Sequence, residues 1–320
     1  MPKALSDRDF ELLETNGIRL RTVVEGDGPL VVLLHGFPQC WYLWRHQIDP
    51  LVEAGWKVAV PDLRGYGGSD RPPRVEDYGI VDLAADVDGI ATALGHDDYA
   101  LAIHDWGAIV GWHVALLHPE RVRAVVGLSV PYVRDPAWPA MCTQEHWGDR
   151  FFYWAYIQQE GRAEAELEAD VRNTLLRMYV GVSGERLQGS TGPLDRNSSL
   201  LDMVPPAPAS LPRWLTEEDL AYSTAQFERS GFRGGLNYYR NIPRLLELTP
   251  QLDGVKVRPP TTFMIGRRDA VRHFIRPEGM EEQFEDLRRT TWVEGAGHWL
   301  PLEATEQVNA ELVSFLAEFR

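Results

Sequence analysis

Short apolar runs that alternate with helix-like stretches restrict the fold of this chain more than any other feature of its sequence. The runs that precede residue 131 are residues 29–36 (PLVVLLHG), 56–62 (WKVAVPD), 99–103 (YALAI) and 123–130 (RAVVGLSV). Continuous apolar runs of this length are typical of strands that are buried on both faces. Helix-like stretches separate them at 40–55, at about 81–94 and up to His118. The alternation predicts a mostly parallel sheet flanked by helices, which is an α/β fold.

The two ends of the chain add to this sheet. Residues 10–25 alternate polar and apolar side chains around the turn pair Asn16-Gly17, which tolerates positive φ angles, so we expect an antiparallel hairpin. Further strand-like runs occur at 261–266 (TTFMIG) and 288–295 (RRTTWVEG). A closing helix follows, with its apolar side chains on one face: Val308, Leu312, Phe315, Leu316 and Phe319.

A long insertion interrupts the strand and helix alternation. Residues 131–250 contain no clear strand and are rich in Pro, Trp, Tyr and acidic helical patches. We therefore expect a core domain formed by residues 1–130 and 251–320, and a helical cap domain formed by residues 131–250.

The acidic composition narrows the possible partners. With 32 basic and 47 acidic side chains the net charge is −15, so the average surface repels nucleic acid and anionic membranes. The N-terminus lacks the basic and apolar pattern of a targeting signal, and no apolar run reaches membrane-spanning length. The only two cysteines, Cys40 and Cys142, are expected to be reduced, buried thiols. We expect a soluble, cytoplasmic protein.

Asp105 is the first candidate for a catalytic role. It lies in ALAIHDWGAIVGW, where a strand ends and a helix begins, so a sharp turn would lift its side chain above the sheet edge. This pattern indicates a nucleophile elbow with aspartate in the usual serine position. Gly107 fits the turn, whereas Ile103 stands where small residues are favoured. The alternative is an ordinary helix N-cap aspartate.

The segment HGFP, residues 35–38, supplies a second part of the site. It ends a predicted buried strand, and the backbone amide of Phe37, together with that of Trp106, could point at one oxygen near Asp105. The functional interpretation is an oxyanion hole. The alternative is a plain turn that ends the strand.

Asp269 and His298 follow the last two predicted strands. The order nucleophile, acid, base, each at the carboxyl end of a strand, matches the α/β-hydrolase fold. His298 could instead be a surface histidine. Asp253 is a weaker rival for the acid, and Asp269 could pair with one of the nearby arginines: Arg267, Arg268 or Arg272.

The chemistry explains an aspartate at position 105. A carboxylate is ionised near pH 7 and needs no base to attack a saturated carbon. The product is an ester, which a water activated by His298 can cleave, whereas a serine would leave an ether. The amides of Phe37 and Trp106 would stabilise the charge on the ester carbonyl oxygen, and Asp269 would orient His298.

Tyrosines in the cap could separate two kinds of leaving group. An epoxide leaves an alkoxide that needs a proton donor, whereas a haloalkane leaves a halide that needs only hydrogen bonds. Tyr153 and Tyr156 lie in FFYWAYIQQEG, and Tyr238 and Tyr239 lie in GFRGGLNYYRNI. Tyrosine is a neutral donor at pH 7, but these side chains could equally serve in packing. Composition alone leaves the choice open.

The motifs together resemble the soluble epoxide hydrolases of the α/β-hydrolase fold. The resemblance covers nearly the whole chain and rests on HGFP, DLRGYGGSDRP, HDWGA, HPERV, QQEGRAEAELE, SGFRGGLNYYRN, GRRDAV and GHW. It departs from the family at Ile103, in QQEG where QEPG is common, and in a Trp-rich start of the cap.

The resemblance implies roles for individual residues. Tyr153 and Tyr239 would hold the epoxide oxygen, rather than Tyr156 and Tyr238, and Asp105 would open the ring. His298 with Asp269 would hydrolyse the ester, and the bond before Pro38 would be cis. The residues expected against the substrate are Trp106, Phe37, Pro38 and Trp154.

Two other functions share parts of this pattern. A haloalkane dehalogenase uses the same Asp-His-Asp triad, but many carry a halide-binding Asn at the position of Phe37. A ligand receptor with a retained hydrolase fold would have lost a catalytic residue, and none is missing here. Ser129 in GLSVP reads as a strand end and not as a serine nucleophile.

The expected reaction is hydrolysis of an epoxide to a vicinal diol, with water as the second substrate and no cofactor or metal. Trp138 and Trp147, with Trp154 and Trp106, are expected near the pocket and favour a bulky or aromatic epoxide. The sequence leaves enantioselectivity and oligomeric state open, with a homodimer as one option.

Overall fold

The computed structural model describes residues 8–185 and 194–320. The first seven residues, where the sequence predicts no targeting signal, lie outside these ranges. The strands are β1 (Phe10–Thr15), β2 (Ile18–Glu25), β3 (Leu30–Leu34), β4 (Lys57–Pro61), β5 (Tyr99–His104), β6 (Val122–Leu128), β7 (Thr261–Gly266) and β8 (Leu287–Val293).

Helices occupy most of the remaining described chain. Those before β7 are α1 (Ile48–Glu53), α2 (Ile80–Ala93), α3 (Trp106–Leu117), α4 (Trp138–Met141), α5 (Gln144–Trp147), α6 (Tyr153–Ile157), α7 (Arg162–Leu167), α8 (Val171–Val182), α9 (Glu217–Ser230), α10 (Arg233–Arg240) and α11 (Leu245–Leu248). After β8 come α12 (Leu300–Glu303) and α13 (Thr305–Leu316). Short 3₁₀ helices lie at Trp41–Trp44, Val75–Tyr78, Leu201–Met203, Ile242–Arg244, Pro250–Leu252, Val271–His273, Met280–Gln283 and Ala317–Phe319.

The strands form one eight-stranded sheet in the order β1-β2-β4-β3-β5-β6-β7-β8. The predicted hairpin is present, since Thr15 pairs with Ile18 across the Asn16-Gly17 turn. β2 pairs antiparallel with β4, and every later pair is parallel. The predicted α/β-hydrolase fold, with a mostly parallel sheet flanked by helices, is therefore confirmed.

The central strands β3, β5 and β7 are buried along their whole length, which explains their unbroken apolar sequences. Strands β1 and β8 at the sheet edges carry exposed side chains. The helix-like stretch at 40–55 is a 3₁₀ helix followed by α1. Pro50 lies in the first turn of α1, where its missing N–H group removes no helical hydrogen bond.

Between β6 and β7 the described chain forms helices and takes part in two isolated bridges, Arg150 with Asp195 and Val257 with Phe284 beyond β7. Both cysteines are free and buried, as predicted. Within the described ranges, no helix has the length and apolarity needed to traverse a lipid bilayer.

Candidate active site

Asp105 occupies a strained turn between β5 and α3. Its backbone has φ 54° and ψ −124°, a region that non-glycine residues rarely adopt and that costs about 1–3 kcal/mol. The turn presents the carboxylate at the carboxyl edge of the sheet, and the residue is only 9% exposed. The backbone therefore has the geometry expected of a nucleophile elbow.

Ile103 fits beneath this turn because α3 carries a glycine opposite it. A Cβ atom added to Gly111 would lie 2.4 Å from Cγ2 of Ile103, closer than two carbons can approach. Gly107 is also required, since its Cβ would lie 2.3 Å from the carbonyl oxygen of Leu34. Gly111, one helical turn after Gly107 on α3, therefore leaves room for the larger side chain at position 103.

Two backbone amides approach the carboxylate of Asp105. Phe37 N–H donates to Oδ1 of Asp105 at 2.7 Å, and the Trp106 amide also donates to this carboxylate. A Cβ atom on Gly36 would lie 2.0 Å from Oδ1 of Asp105, so only glycine leaves room for the approach. The bond between Phe37 and Pro38 is cis, as the resemblance implies. This arrangement has the geometry expected of an oxyanion hole.

His298 lies between two carboxylates. Its Nε2 is 3.2 Å from Oδ2 of Asp105, and its Nδ1 is 3.0 Å from Oδ2 of Asp269. Asp269 is fully buried and its Oδ1 also accepts a hydrogen bond from the amide of Val271. The three side chains come from the ends of β5, β7 and β8, so the sheet topology brings them together.

The rival partners lie elsewhere. Arg267 pairs with Glu294, and Arg268 donates to the carbonyl of Gly184. The guanidinium of Arg272 lies over the ring of Trp292. The carboxylate of Asp253 is 92% exposed, so it is far less suited to orient a buried histidine.

The charge of His298 and the charges of the neighbouring carboxylates stabilise one another. Burial acts to raise the pKa of Asp105, but the hydrogen bond and charge of His298 hold it below its ordinary value. Burial also acts to lower the pKa of His298, but Asp269 and Asp105 together raise it to about 10. At neutral pH the resting site therefore holds an imidazolium between two carboxylates.

Tyr153 on α6 and Tyr239 on α10 line the same cavity as Asp105. Their ring centroids are 5.8 Å apart, and Tyr239 packs edge-on against Trp106 at 4.9 Å. Burial raises the pKa of both tyrosines, so both stay protonated at neutral pH. Both hydroxyls are consequently neutral hydrogen-bond donors.

The neighbouring tyrosines have other partners. Tyr156 donates to Glu166 at 2.8 Å, and Tyr238 donates to the carbonyl of Arg64 at 2.9 Å. Gln158 of the QQEG motif donates to the carbonyls of Trp154 and Tyr239, at 3.0 and 3.1 Å. This motif therefore ties together the two helices that carry Tyr153 and Tyr239.

The cavity has a volume of about 360 Å³. Phe37, Pro38, Trp106 and Trp154 line it, and apolar residues complete its wall: Ile109, Met178, Val182, Leu200, Met203 and Phe274. Such a wall suits the apolar part of a substrate.

Two tryptophans expected near the pocket do not line it. Trp138 packs edge-on against Trp154, and Trp147 stacks on Phe152. Trp154, which Trp138 contacts, lines the cavity, and Phe152 contacts the lining residue Tyr153. Both tryptophans therefore lie near the pocket, but in a layer behind the residues that line it.

The sequence reasoning missed a group of residues that hold the main chain of His298. Its carbonyl oxygen accepts hydrogen bonds from Nε2 of His104 at 2.7 Å and Oγ of Ser129 at 2.8 Å. Burial lowers the pKa of His104 to about 4, so this imidazole is neutral. Ser129 lies at the end of β6, as predicted, and its hydroxyl donates to the carbonyl of His298 in the loop after β8. A third residue, Glu303, holds the neighbouring amides.

Comparison with known proteins extends the likeness over nearly the whole chain. A family model for the alpha/beta hydrolase fold matches residues 29–305. Epoxide hydrolase A of Mycobacterium tuberculosis is 40% identical, covering 95% of this chain and 96% of that protein. Epoxide hydrolase 1 of Siraitia grosvenorii is 35% identical, covering 97% and 99%. The crystal structure of epoxide hydrolase A from Mycobacterium thermoresistibile has a TM-score of 0.91 at 44% identity, covering 97% of this chain and 98% of that one.

Proposed function

Since this chain belongs to the epoxide hydrolases of the α/β-hydrolase fold, we propose that it converts its substrate in two covalent steps, with Asp105 as nucleophile. One observation carries the proposal. Oδ1 of Asp105 accepts the Phe37 amide at 2.7 Å while Oδ2 lies 3.2 Å from His298, in a cavity that Tyr153 and Tyr239 also line.

In the first step Oδ2 of Asp105 attacks a ring carbon of the epoxide and the carbon–oxygen bond of the ring breaks. Tyr153 and Tyr239 donate hydrogen bonds to the epoxide oxygen, and one of them transfers its proton to the resulting alkoxide. The depressed pKa of Asp105 keeps this carboxylate ionised for the attack. The product is an ester that links the substrate to the enzyme.

Formation of the ester changes the charge around His298. Asp105 no longer carries a negative charge, so one of the two causes of the raised pKa of His298 is removed. The imidazolium then gives its own proton to the tyrosinate and becomes a neutral base. This coupling allows a histidine that is protonated at rest to act as base in the second step.

In the second step His298 takes a proton from water, and the hydroxide attacks the ester carbonyl carbon. The amides of Phe37 and Trp106 stabilise the negative charge on Oδ1, and Asp269 stabilises the imidazolium. The tetrahedral intermediate then breaks its bond to the substrate oxygen, which takes the proton of the added hydroxyl group and leaves as the diol. The Asp105 carboxylate is restored beside protonated His298. One epoxide and one water are consumed, and no cofactor takes part.

A single turnover in ¹⁸O-labelled water tests the ester directly. The label is expected in the carboxylate of Asp105, because water attacks the ester carbonyl and not the substrate carbon. Label found only in the diol would contradict the proposal. Asp105→Asn should abolish diol formation from styrene oxide, and 1-chlorobutane, which tests for a dehalogenase, should release no halide.

The substrate we propose is a bulky or aromatic epoxide. The apolar cavity wall, with Trp106 and Trp154 beside Asp105, supports this choice. A panel of aryl and short aliphatic epoxides tests it, and preference for the small aliphatic compounds would count against it.

We also propose that residues 1–130 and 251–320 form the core domain, that residues 131–250 form the cap domain, and that the protein is cytoplasmic. Fractionation of the source cells tests the location. A homodimer is a separate hypothesis, which light scattering tests, and the mechanism does not depend on it because all proposed catalytic groups lie on one chain.

A further inference from the structure

The end of α8 docks against the loop that carries His298. The amide of His298 donates to the carbonyl of Val182 at 3.0 Å, and Nε1 of Trp299 donates to the carbonyl of Tyr179 at 2.8 Å. A Cβ atom on Gly184 would lie 2.1 Å from the carbonyl oxygen of Gly295. The contact is therefore as close as two backbones can approach. It joins a wall of the substrate cavity to the proposed base.

Glu303, at the end of α12, connects both sides of this contact. Its Oε2 accepts N–H groups from Gly184 at 2.7 Å and Gly297 at 2.9 Å, and its Oε1 accepts that of Trp299 at 2.9 Å. Gly297 and Trp299 flank His298, whereas Gly184 follows α8. One carboxylate thus holds the residues on either side of His298 and the segment packed over them.

Backbone groups provide the hydrogen bonds that this carboxylate needs. Within the ranges that the structure describes, no Lys or Arg forms an ion pair with Glu303. Burial raises its pKa, and the N–H groups of Gly297, Gly184 and Trp299 act in the opposite direction. Hydrogen bonds to a buried carboxylate are short and directional, so they fix the backbone that donates them.

We propose that Glu303 is a positioning residue for hydrolysis of the ester intermediate, because it holds the backbone on both sides of His298. This inference rests on the proposed two-step mechanism. His298 takes a proton from water only in the second step, whereas ring opening needs Asp105 and the two tyrosines. Loss of the Glu303 contacts should therefore slow hydrolysis of the ester and leave its formation nearly unchanged.

Glu303→Gln tests this expectation. Glutamine keeps one acceptor oxygen and places an NH₂ group opposite at least one backbone N–H, so the loop can no longer be held in the same way. We expect ester hydrolysis to slow about tenfold or more, as small misplacements of a catalytic group do. Ester formation should stay within about twofold. Rapid acid quenching followed by intact-protein mass spectrometry, with styrene oxide as substrate, measures both rates.

Glu311→Gln is the matched control. Glu311 lies on α13, is 9% exposed, and accepts hydrogen bonds from Thr262 and Arg289. Among the described residues its side chain forms no hydrogen bond with the His298 loop. The same chemical change there should leave the ratio of the two rates as in the wild type. Equal slowing of both steps in Glu303→Gln would overturn the proposal, as would unchanged hydrolysis.

His298→Gln separates this inference from the mechanism beneath it. That variant should accumulate the ester almost completely. If it forms no ester, the two-step mechanism fails. If it does, and Glu303→Gln hydrolyses the ester at the wild-type rate, only the role of Glu303 fails.

Gly184→Ala provides a second route if Glu303→Gln does not fold. The added methyl group would collide with Gly295 and separate α8 from the histidine loop without changing Glu303. We expect the same pattern of slow hydrolysis with nearly normal ester formation. A loss confined to ester formation would contradict the proposal.

Discussion

Asp105 and His298, on the sheet side of the cavity, are held by hydrogen bonds, whereas Tyr153 and Tyr239, on the opposite side, are surrounded by aromatic rings. The amide of Phe37 holds Asp105, and Asp269 holds the ring of His298. Tyr239 packs edge-on against Trp106 and Phe37, with ring centroids 4.9 and 5.6 Å away. Hydrogen bonds from the backbone depend on turns and glycines, whereas ring packing tolerates changes of size and shape. The sheet side should therefore be the less tolerant of substitution.

A pair of glycine variants gives the largest expected contrast, between the sheet side of the cavity and a position that does not line it. Gly36→Ala would place a Cβ atom 2.0 Å from Oδ1 of Asp105, so we expect kcat/KM for styrene oxide to fall about 10²-fold or more. Gly148→Ala, between β6 and β7, meets no atom within 4 Å. Its φ of 61° adds only strain, costing about 1 kcal/mol of stability with activity retained. Equal losses in both variants would break the contrast.

Adjacent tyrosines on α10 test the second region with the same chemical change. Tyr239→Phe should lower the rate of ester formation about 10²-fold, since it removes one of the two donors to the epoxide oxygen. Tyr238→Phe loses only its hydrogen bond to the carbonyl of Arg64, so stability should drop by about 1 kcal/mol while the rate stays near normal. Stopped-flow fluorescence and denaturant unfolding measure the two effects. A larger kinetic loss in Tyr238→Phe would show that the hydroxyls are wrongly assigned.

The pH dependence of stability should distinguish a histidine of the site from an exposed one. The pKa of His298 is raised from 6.5 to about 10 in the folded protein, so its contribution to stability is complete below pH 6.5. That contribution is lost as pH rises through about 10. The free energy of unfolding of the wild type relative to His298→Gln should fall by a few kcal/mol between pH 6 and 10, roughly 1.4 kcal/mol per pKa unit.

His146→Gln, at an exposed position on α5, is the control for this measurement. It should leave the pH dependence of the unfolding free energy as it is in the wild type. If the unfolding free energy of His298→Gln depended on pH as steeply as that of the wild type, His298 would not carry the charge assigned to it.

The smallest expected effect is at the mouth of the cavity. Phe274 lines the cavity, is 44% exposed, and packs against Tyr153 with ring centroids 6.1 Å apart. Phe274→Ala should raise KM for styrene oxide about threefold with little change in kcat, since it removes apolar contact area without touching the reacting atoms. Val81→Ala, at an exposed position on α2, should change neither constant. A fall in kcat alone would assign Phe274 to positioning Tyr153.

Local patterns were enough to predict much of this molecule. The unbroken apolar run of β3 predicted its burial, and Asn16-Gly17 predicted the first turn, because both depend on neighbouring residues alone. The positions of Asp105, Asp269 and His298 after strands predicted that they would meet, since parallel strands end at one edge. The sequence did not show which of the tryptophans near the pocket line it: Trp106 and Trp154 do, whereas Trp138 and Trp147 lie behind its wall. A helical insertion has no comparable rule for which side chains face inward.

The sequence by itself determined the fold class and the order of the catalytic candidates, because the period of apolar residues and the turn at Asp105 are properties of short segments. Only the tertiary structure decided what those segments touch. It placed Gly111 opposite Ile103, gave Tyr238 a partner away from the cavity, and brought Glu303 to both sides of His298. Some of these contacts join residues far apart in sequence, such as Glu303 with Gly184 and Tyr238 with Arg64. Others, such as Ile103 with Gly111, join nearby residues of different elements. Both kinds depend on how the helices and strands pack and not on the residue pattern of one element.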